Sequence, residues 1–102
     1  MPAYVIGRIQ MRDSSWVEEY LAGMRPLLQK HGGRYLARAA QMEVLEGAEP
    51  GPSAALILEF PSLGHARAWY SDPEYVPLIE LRQRGSDAQL VLLDGPPGTG
   101  PV

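Results

Sequence analysis

The fold of this chain is decided by residues 4–10, which read YVIGRIQ. β-Branched and aromatic side chains are frequent in this stretch, as is typical of a β-strand. Because strand side chains alternate between two faces, Val5 and Ile9 share one face while Tyr4 and Ile6 share the other. Both faces are therefore largely apolar, and the pattern predicts a strand that is covered on both sides.

Three more stretches have the composition of strands. Residues 54–60, AALILEF, are almost wholly apolar up to Glu59 and predict a central strand. Residues 88–93 predict the last strand of the chain. Residues 34–45 alternate in the same way but are long for one strand, so we expect a bulge or bend near residues 39–40.

Helical patterns separate these strands. Trp16, Tyr20 and Met24 recur every four residues and predict an amphipathic helix that ends after His31, with a kink or restart at Pro26.

A second helix is expected from residues 61–62 to Tyr70. Asp72 followed by Pro73 is typical of a helix start, and it predicts a further short or broken helix that runs to about Arg84.

The order of elements is strand, helix, strand, strand, helix, strand. The simplest fold for it is α+β and ferredoxin-like, a βαββαβ unit whose antiparallel sheet carries the helices on one face. We expect one such domain over residues 1–95 and a flexible Gly/Pro tail over residues 96–102. Since helices cover only one side of the sheet, the apolar second side predicts a homodimer in which two sheets pack together.

The composition narrows the range of functions. The chain has 102 residues, no cysteine and a net charge of -3. Disulfides and cysteine chemistry are therefore excluded, and nucleic acid is not an expected partner. No apolar run approaches the roughly 18 residues that span a membrane, so we expect a soluble cytoplasmic protein.

Seven short stretches together resemble a family of small bacterial proteins, domain-of-unknown-function family 1330. They are AYVI at 3–6, HGGRYL at 31–36, EVLEG at 43–47, EFPS at 59–62, ARAWYS at 66–71, PEY at 73–75 and LDG at 93–95. The resemblance implies a dimeric α+β barrel, in which two ferredoxin-like sheets pack face to face. Looser relatives of that barrel include muconolactone isomerases, heme-degrading and antibiotic-biosynthesis monooxygenases and chlorite dismutases. The family itself implies no established activity.

Two residues are candidates for acid–base chemistry. His31 could act as a general acid or base, although at a helix end it is also suited to complement the helix dipole. Glu59 ends an apolar strand and could be a base with a raised pKa if buried. Pairing of Glu59 with an arginine, or capping of a neighbouring helix, is the favoured alternative.

Two arginines are candidates for binding an anion. Arg34 could point into a cavity and pair with a carboxylate ligand, or it could form a salt bridge to Glu59 or Glu74. Arg82 could likewise bind an anionic ligand. The alternative is an ion pair at the surface, which the charged residues at helical spacing in this segment favour.

Aromatic side chains complete the candidate pocket between sheet and helices. Trp69 is expected near the pocket, and Tyr75 is expected to reach its mouth with the hydroxyl group. The two histidines lie too far apart for a typical metal site, so neither metal nor cofactor is predicted.

Three hypotheses for function remain open at this point. The first is a protein that handles a small acidic or aromatic molecule, as a cofactor-free enzyme. The second is a dimer that binds a metabolite without catalysis, and the third is a purely structural dimer.

Overall fold

The structure is a computed structural model that describes residues 1–48 and 50–95. The tail predicted over residues 96–102 lies outside the described residues. The elements in chain order are β1 (Ala3–Met11), α1 (Val17–Lys30), β2 (Arg34–Ala39), β3 (Ala54–Phe60), α2 (Leu63–Tyr70), the 3₁₀ turn η1 (Pro73–Tyr75), α3 (Val76–Gly85) and β4 (Ser86–Asp94).

The four strands form one sheet in the order β2-β3-β1-β4, and every neighbouring pair is antiparallel. The apolar strand β1 is central, with Val5 opposite both Leu58 of β3 and Leu92 of β4. This topology confirms the prediction of a ferredoxin-like α+β fold. The helices cover the face of the sheet that carries Val5 and Ile9, and both side chains are buried there.

The core lies between this face and the helices. Met24 and Leu27 of α1 pack in one buried cluster with Leu58 and Phe60 of β3 and with Trp69 of α2. The predicted stripe of α1 is therefore the face that the helix buries. Burial of these large side chains is the main source of stability in so small a chain.

The opposite side of the sheet, which we call the open face, carries none of the described helices. Ile6, Ile57 and Val91 lie side by side across three strands of this face. Their exposed fractions are 38%, 37% and 45%. Such a continuous apolar strip is unusual for a surface that remains in water.

The prediction of one long strand over residues 34–45 is wrong in length. β2 ends at Ala39, and its irregularity lies between Tyr35 and Ala37 instead of near residues 39–40. The reason is the position of the partner, because β3 begins only at Ala54. Without a neighbouring strand, the backbone beyond Ala39 has no ladder to join.

The restart considered at Pro26 does not occur, since α1 runs through this proline. Met24, Leu27 and Leu28 on either side of it are buried, and their packing outweighs the lost backbone hydrogen bond. The helix ends as predicted at a glycine, because Gly32 has a φ of 73°, a conformation that other residues rarely adopt. Among the described residues no helix is long and apolar enough to cross a membrane.

Candidate functional site

A cavity of about 390 Å³ lies between α2, α3 and β4, and we call it the β4 cavity. Its wall is apolar on the sheet side and mixed on the helix side. The lining residues are Val5, Ala88, Leu90 and Leu92 from the sheet and Ala66, Arg67, Trp69, Tyr70, Arg82 and Gln83 from the helices. The volume is in the range of pockets that hold small molecules.

Arg82 is the most unusual residue of this wall. Its side chain carries a permanent charge, yet the residue is only 3% exposed. Its Nη1 donates to the hydroxyl of Tyr75 at 3.0 Å and to that of Tyr20 at 3.3 Å. The two hydroxyls lie 2.6 Å apart and share a hydrogen bond. We call these three residues the Arg82 cluster.

The Arg82 cluster contains more donors than acceptors. Among the described residues no carboxylate forms an ion pair with Arg82, and its buried Nε has no hydrogen-bond partner. Trp69 belongs to the same wall, and its indole Nε1 is also buried with no hydrogen-bond partner among the described residues. Unpaired buried donors and unpaired buried charge both cost free energy.

The tyrosines cannot balance the charge of Arg82. Burial raises the pKa of Tyr75 far above its usual range, and the nearby Tyr20 adds to this effect against the opposing influence of Arg82. Tyr75 therefore remains a neutral phenol at physiological pH. The cluster carries a net positive charge, and the chemical group that it lacks is an anion.

Local sequence explains how the cluster is assembled. Asp72 accepts a hydrogen bond from the backbone N–H of Glu74 at 2.9 Å and starts η1, which places Tyr75 at its end. Arg82 follows seven residues later, two helical turns along the chain, and so lies on the same side of the helical segment as Tyr75. The ring of Trp69 packs 4.7 Å from that of Tyr75, measured between centroids.

Three of the predicted site residues therefore come together. Trp69 and Arg82 line the β4 cavity, and Tyr75 contacts both of them. The hydroxyl of Tyr75 does not reach the pocket mouth, which corrects the expectation from sequence. Tyr75 is 0% exposed because its phenol group is bound inside the Arg82 cluster.

The other three predicted residues lie elsewhere. Arg34 and Glu59 pair with each other across β2 and β3, with both Nε and Nη2 of the arginine 2.8 Å from one carboxylate oxygen. This is one of the salt bridges considered from the sequence. His31 follows the last residue of α1, and its Nε2 lies 2.7 Å from the carboxylate of Asp72.

Asp72 is the centre of a second polar group, which we call the Asp72 cluster. Besides His31, the Nζ of Lys30 lies 2.8 Å from the same carboxylate. Hydrogen bonds from Lys30 and His31, followed by that from the backbone of Glu74, hold the pKa of Asp72 well below its usual range. The cluster ties the end of α1 to the start of η1.

Sequence reasoning missed the roles of Tyr20 and Asp72. Tyr20 belongs to the core stripe of α1, and nothing in that stripe distinguishes a tyrosine that binds an arginine from one that only packs. Asp72 was recognisable as a helix start, but its partners His31 and Lys30 lie 41 and 42 positions earlier in the chain. The spacing of Tyr75 and Arg82 was the one signal that could have linked two members of the site.

No metal site is evident in the described portion of the chain, where no group of three or more histidine or acidic side chains could hold an ion.

Comparison with protein families gives a match over residues 2–96 to the family described as Domain of unknown function (DUF1330). The chain belongs to this family. Recognition from the seven short stretches is thereby confirmed. No functionally curated protein matches the chain.

Solved structures support the fold of this DUF1330 protein. A protein of unknown function from Rhodopseudomonas palustris has 22% sequence identity and a TM-score of 0.70, over 90% of this chain and 80% of the other. A dimeric ferredoxin-like protein of unknown function from Thermobifida fusca has 17% identity and a TM-score of 0.64, over 91% and 90% of the two chains.

An enzyme is also among the similar structures. SnoaB from Streptomyces nogalater, a cofactor-independent oxygenase, has 12% identity and a TM-score of 0.67 over 96% of each chain. At such low identity these likenesses show the ferredoxin-like fold alone.

Proposed function

We propose that this protein is a homodimer that binds a small organic acid in the β4 cavity, with the ligand carboxylate paired to Arg82. The observation that carries the proposal is the position of Arg82. A guanidinium that is 3% exposed and has no counter-ion among the described residues lies in the wall of a cavity large enough for a ligand.

A carboxylate supplies what the Arg82 cluster lacks. It is acceptor-only when ionised and can receive several hydrogen bonds at once, so Arg82 Nε and Trp69 Nε1 are its natural donors. The remainder of the cavity favours an apolar or aromatic ligand body. Leu90 and Leu92 form one side of it, and the rings of Trp69 and Tyr70 lie on the other.

Binding without catalysis is the activity that these residues favour. None of the described side chains that line the β4 cavity is an imidazole or a carboxylate, the groups that most often transfer protons in enzymes. The name of SnoaB raises cofactor-independent oxygenation as the alternative. This alternative is tested by measuring whether the protein consumes oxygen in the presence of each acid that binds.

Benzoate is a suitable first probe because it combines a carboxylate with a small flat ring. We expect benzoate, but not benzyl alcohol, to raise the melting temperature of the protein as the ligand concentration exceeds its Kd. Arg82→Met keeps most of the side-chain volume and removes the charge. It should weaken benzoate binding roughly 10- to 100-fold, the usual effect of losing a charge-assisted contact.

Arg84→Met is the matched control, because Arg84 belongs to the same helix but is exposed and does not line the cavity. Its affinity for benzoate should equal that of the unchanged protein. Equal stabilisation by benzyl alcohol, or equal loss of affinity in both variants, would contradict the role given to Arg82.

The homodimer is proposed from the open face. Ile6, Ile57 and Val91 form an apolar strip that a second sheet would bury, and the similar protein from Thermobifida fusca is described as dimeric. Ile57→Asp would place an unpaired charge at the centre of that strip. We expect it to convert the dimer to a monomer at micromolar concentration, as measured by sedimentation or native mass spectrometry.

Val76→Asp is the control for the dimer, since Val76 is also an exposed apolar residue but begins α3, away from the open face. This variant should remain dimeric. A monomer before any substitution, or a dimer that survives Ile57→Asp, would show that the open face is not the interface.

A further inference from the structure

A second cavity, of about 370 Å³, lies on the other side of the Arg82 cluster. It is found between the first half of α1 and the end of the sheet where β2 ends and β3 begins, and we call it the α1 cavity. Most of its wall is apolar, including Ile9, Met11, Val17, Leu21 and Leu56. Neither a carboxylate nor an imidazole is among the described residues that line it.

Two buried polar groups in this wall lack a partner among the described residues, the indole Nε1 of Trp16 and the hydroxyl of Tyr35. The hydroxyl oxygen of Tyr35 is buried and makes no hydrogen bond within the described residues. Burial raises the pKa of Tyr35 to about 12, against a smaller opposing effect of Arg38, so the phenol remains neutral and keeps its proton. A buried hydroxyl without an acceptor is costly, and a bound molecule with an oxygen atom would satisfy it.

Among the described residues that line the α1 cavity, only Arg38 has a charged side chain. Arg38 is exposed, and its Cζ lies 5.6 Å from the centroid of the Tyr35 ring. Its charge is hydrated, in contrast to the buried charge of Arg82. The two cavities therefore differ in the ligand that they favour. An anion is expected beside Arg82, whereas the wall of the α1 cavity is suited to an uncharged molecule.

We infer that the α1 cavity is a second binding site, which takes a neutral, flat aromatic molecule with one hydrogen-bond acceptor. The aromatic body would lie among the apolar side chains, and Tyr35 would donate to the acceptor. Tyr20 separates the two sites, since it lines the α1 cavity while its hydroxyl belongs to the Arg82 cluster. The inference does not depend on acid binding in the β4 cavity.

The chain contains its own reporters for a test. It has two tryptophans, of which Trp16 lines the α1 cavity and Trp69 lines the β4 cavity. Each gives one indole N–H signal in the ¹⁵N spectrum of the labelled full chain, and Trp69→Phe assigns both. Titration with 2-naphthol, which is uncharged at pH 7, should shift the signal of Trp16 in a saturable way.

Two variants locate the probe. Ala40→Phe fills the α1 cavity from the irregular segment after β2, and it should weaken 2-naphthol binding at least tenfold. Ala48→Phe introduces the same side chain in that segment at a residue that does not line the cavity, and its affinity should be unchanged. Tyr35→Phe removes only the unpaired hydroxyl and should weaken binding roughly three- to tenfold.

The result that supports the inference is a saturable shift of the Trp16 signal that is lost in Ala40→Phe and retained in Ala48→Phe. A Trp16 signal that does not move up to the solubility limit of 2-naphthol overturns it. So does a shift of the same size and midpoint in Ala40→Phe, because the probe would then bind elsewhere. Benzoate binding in the β4 cavity is followed by the separate indole signal of Trp69. A result against binding in one cavity can therefore be distinguished from a result against binding in the other.

Discussion

The Asp72 cluster and the Arg82 cluster connect the same parts of the fold in opposite ways. Both join α1 to the segment of η1 and α3, and both place a charged residue in a buried position, with Asp72 6% and Arg82 3% exposed. Asp72 meets the ammonium group of Lys30, the imidazole of His31 and a backbone N–H within 2.9 Å. Arg82 meets two hydroxyl groups and no described carboxylate.

Under the proposed function, this difference separates a structural use of buried charge from a use in binding. The Asp72 cluster is complete within the chain, so it stabilises the folded state without any ligand. The Arg82 cluster retains surplus donors and an uncompensated charge. We expect this to lower the stability of the free protein, and a bound anion to recover that loss.

The largest effect on stability is expected from Asp72→Asn. The substitution removes the charge that Lys30 and His31 share, and it should lower the melting temperature by on the order of 5–10 °C. Asp87→Asn is the control, because Asp87 forms an ion pair with Arg12 in which its side chain is 79% exposed. Equal melting temperatures for the two variants would show that the Asp72 cluster stabilises the protein no more than an exposed ion pair does.

The free protein should respond to Arg82→Met in the opposite direction. Removal of an unpaired buried charge should raise the free energy of unfolding by about 1–2 kcal/mol, even though two hydrogen bonds to tyrosine are lost. Urea denaturation without ligand measures this change. If the variant is less stable than the unchanged protein, Arg82 stabilises the free protein as Asp72 does.

The two clusters should also differ in their dependence on pH. Because the pKa of Asp72 is lower in the folded than in the unfolded chain, its contribution to stability is complete above about pH 5 and decreases as the pH falls through 4 and below. The stability of Asp72→Asn should therefore fall less steeply over this range, whereas that of Arg82→Met should parallel the unchanged protein. Parallel curves for Asp72→Asn would contradict the assignment.

The smallest effect is expected at the exposed pair of Arg34 and Glu59. Since the Arg34 side chain is 69% exposed, Arg34→Ala should lower the free energy of unfolding by about 0–1 kcal/mol. Benzoate affinity should not change, because Arg34 does not line the β4 cavity. A tenfold loss of benzoate affinity in this variant would show that the acid binds at Arg34 and not at Arg82.

Much of the fold was predictable because its signals are local. The nearly continuous apolar character of residues 4–10 and 54–60 identified the central strands, and the four-residue spacing from Trp16 to Met24 identified the buried side of α1. The length of β2 was not predictable, since it depends on where β3 begins. The continuous path of α1 through Pro26 likewise depends on packing against the rest of the core.

The candidate site was predictable only in part. All six candidates were grouped by residue type alone. The structure brings Trp69, Tyr75 and Arg82 together because they lie on consecutive helical segments, α2, η1 and α3. It places His31, Arg34 and Glu59 elsewhere, where His31 contacts Asp72 and Arg34 pairs with Glu59. Tyr20 was not expected in the site, since it comes from a helix more than 40 residues earlier in the chain.

The sequence by itself determined the order of elements, the two apolar faces of the sheet and membership of the DUF1330 family. Those features follow from periodicity and short motifs, which are properties of neighbouring residues. Only the tertiary structure decided which charges are satisfied. A counter-ion is found by position in space and not along the chain. The pairing of Asp72, and the lack of a counter-ion for Arg82 among the described residues, therefore became visible only once α1 lay against η1 and α3.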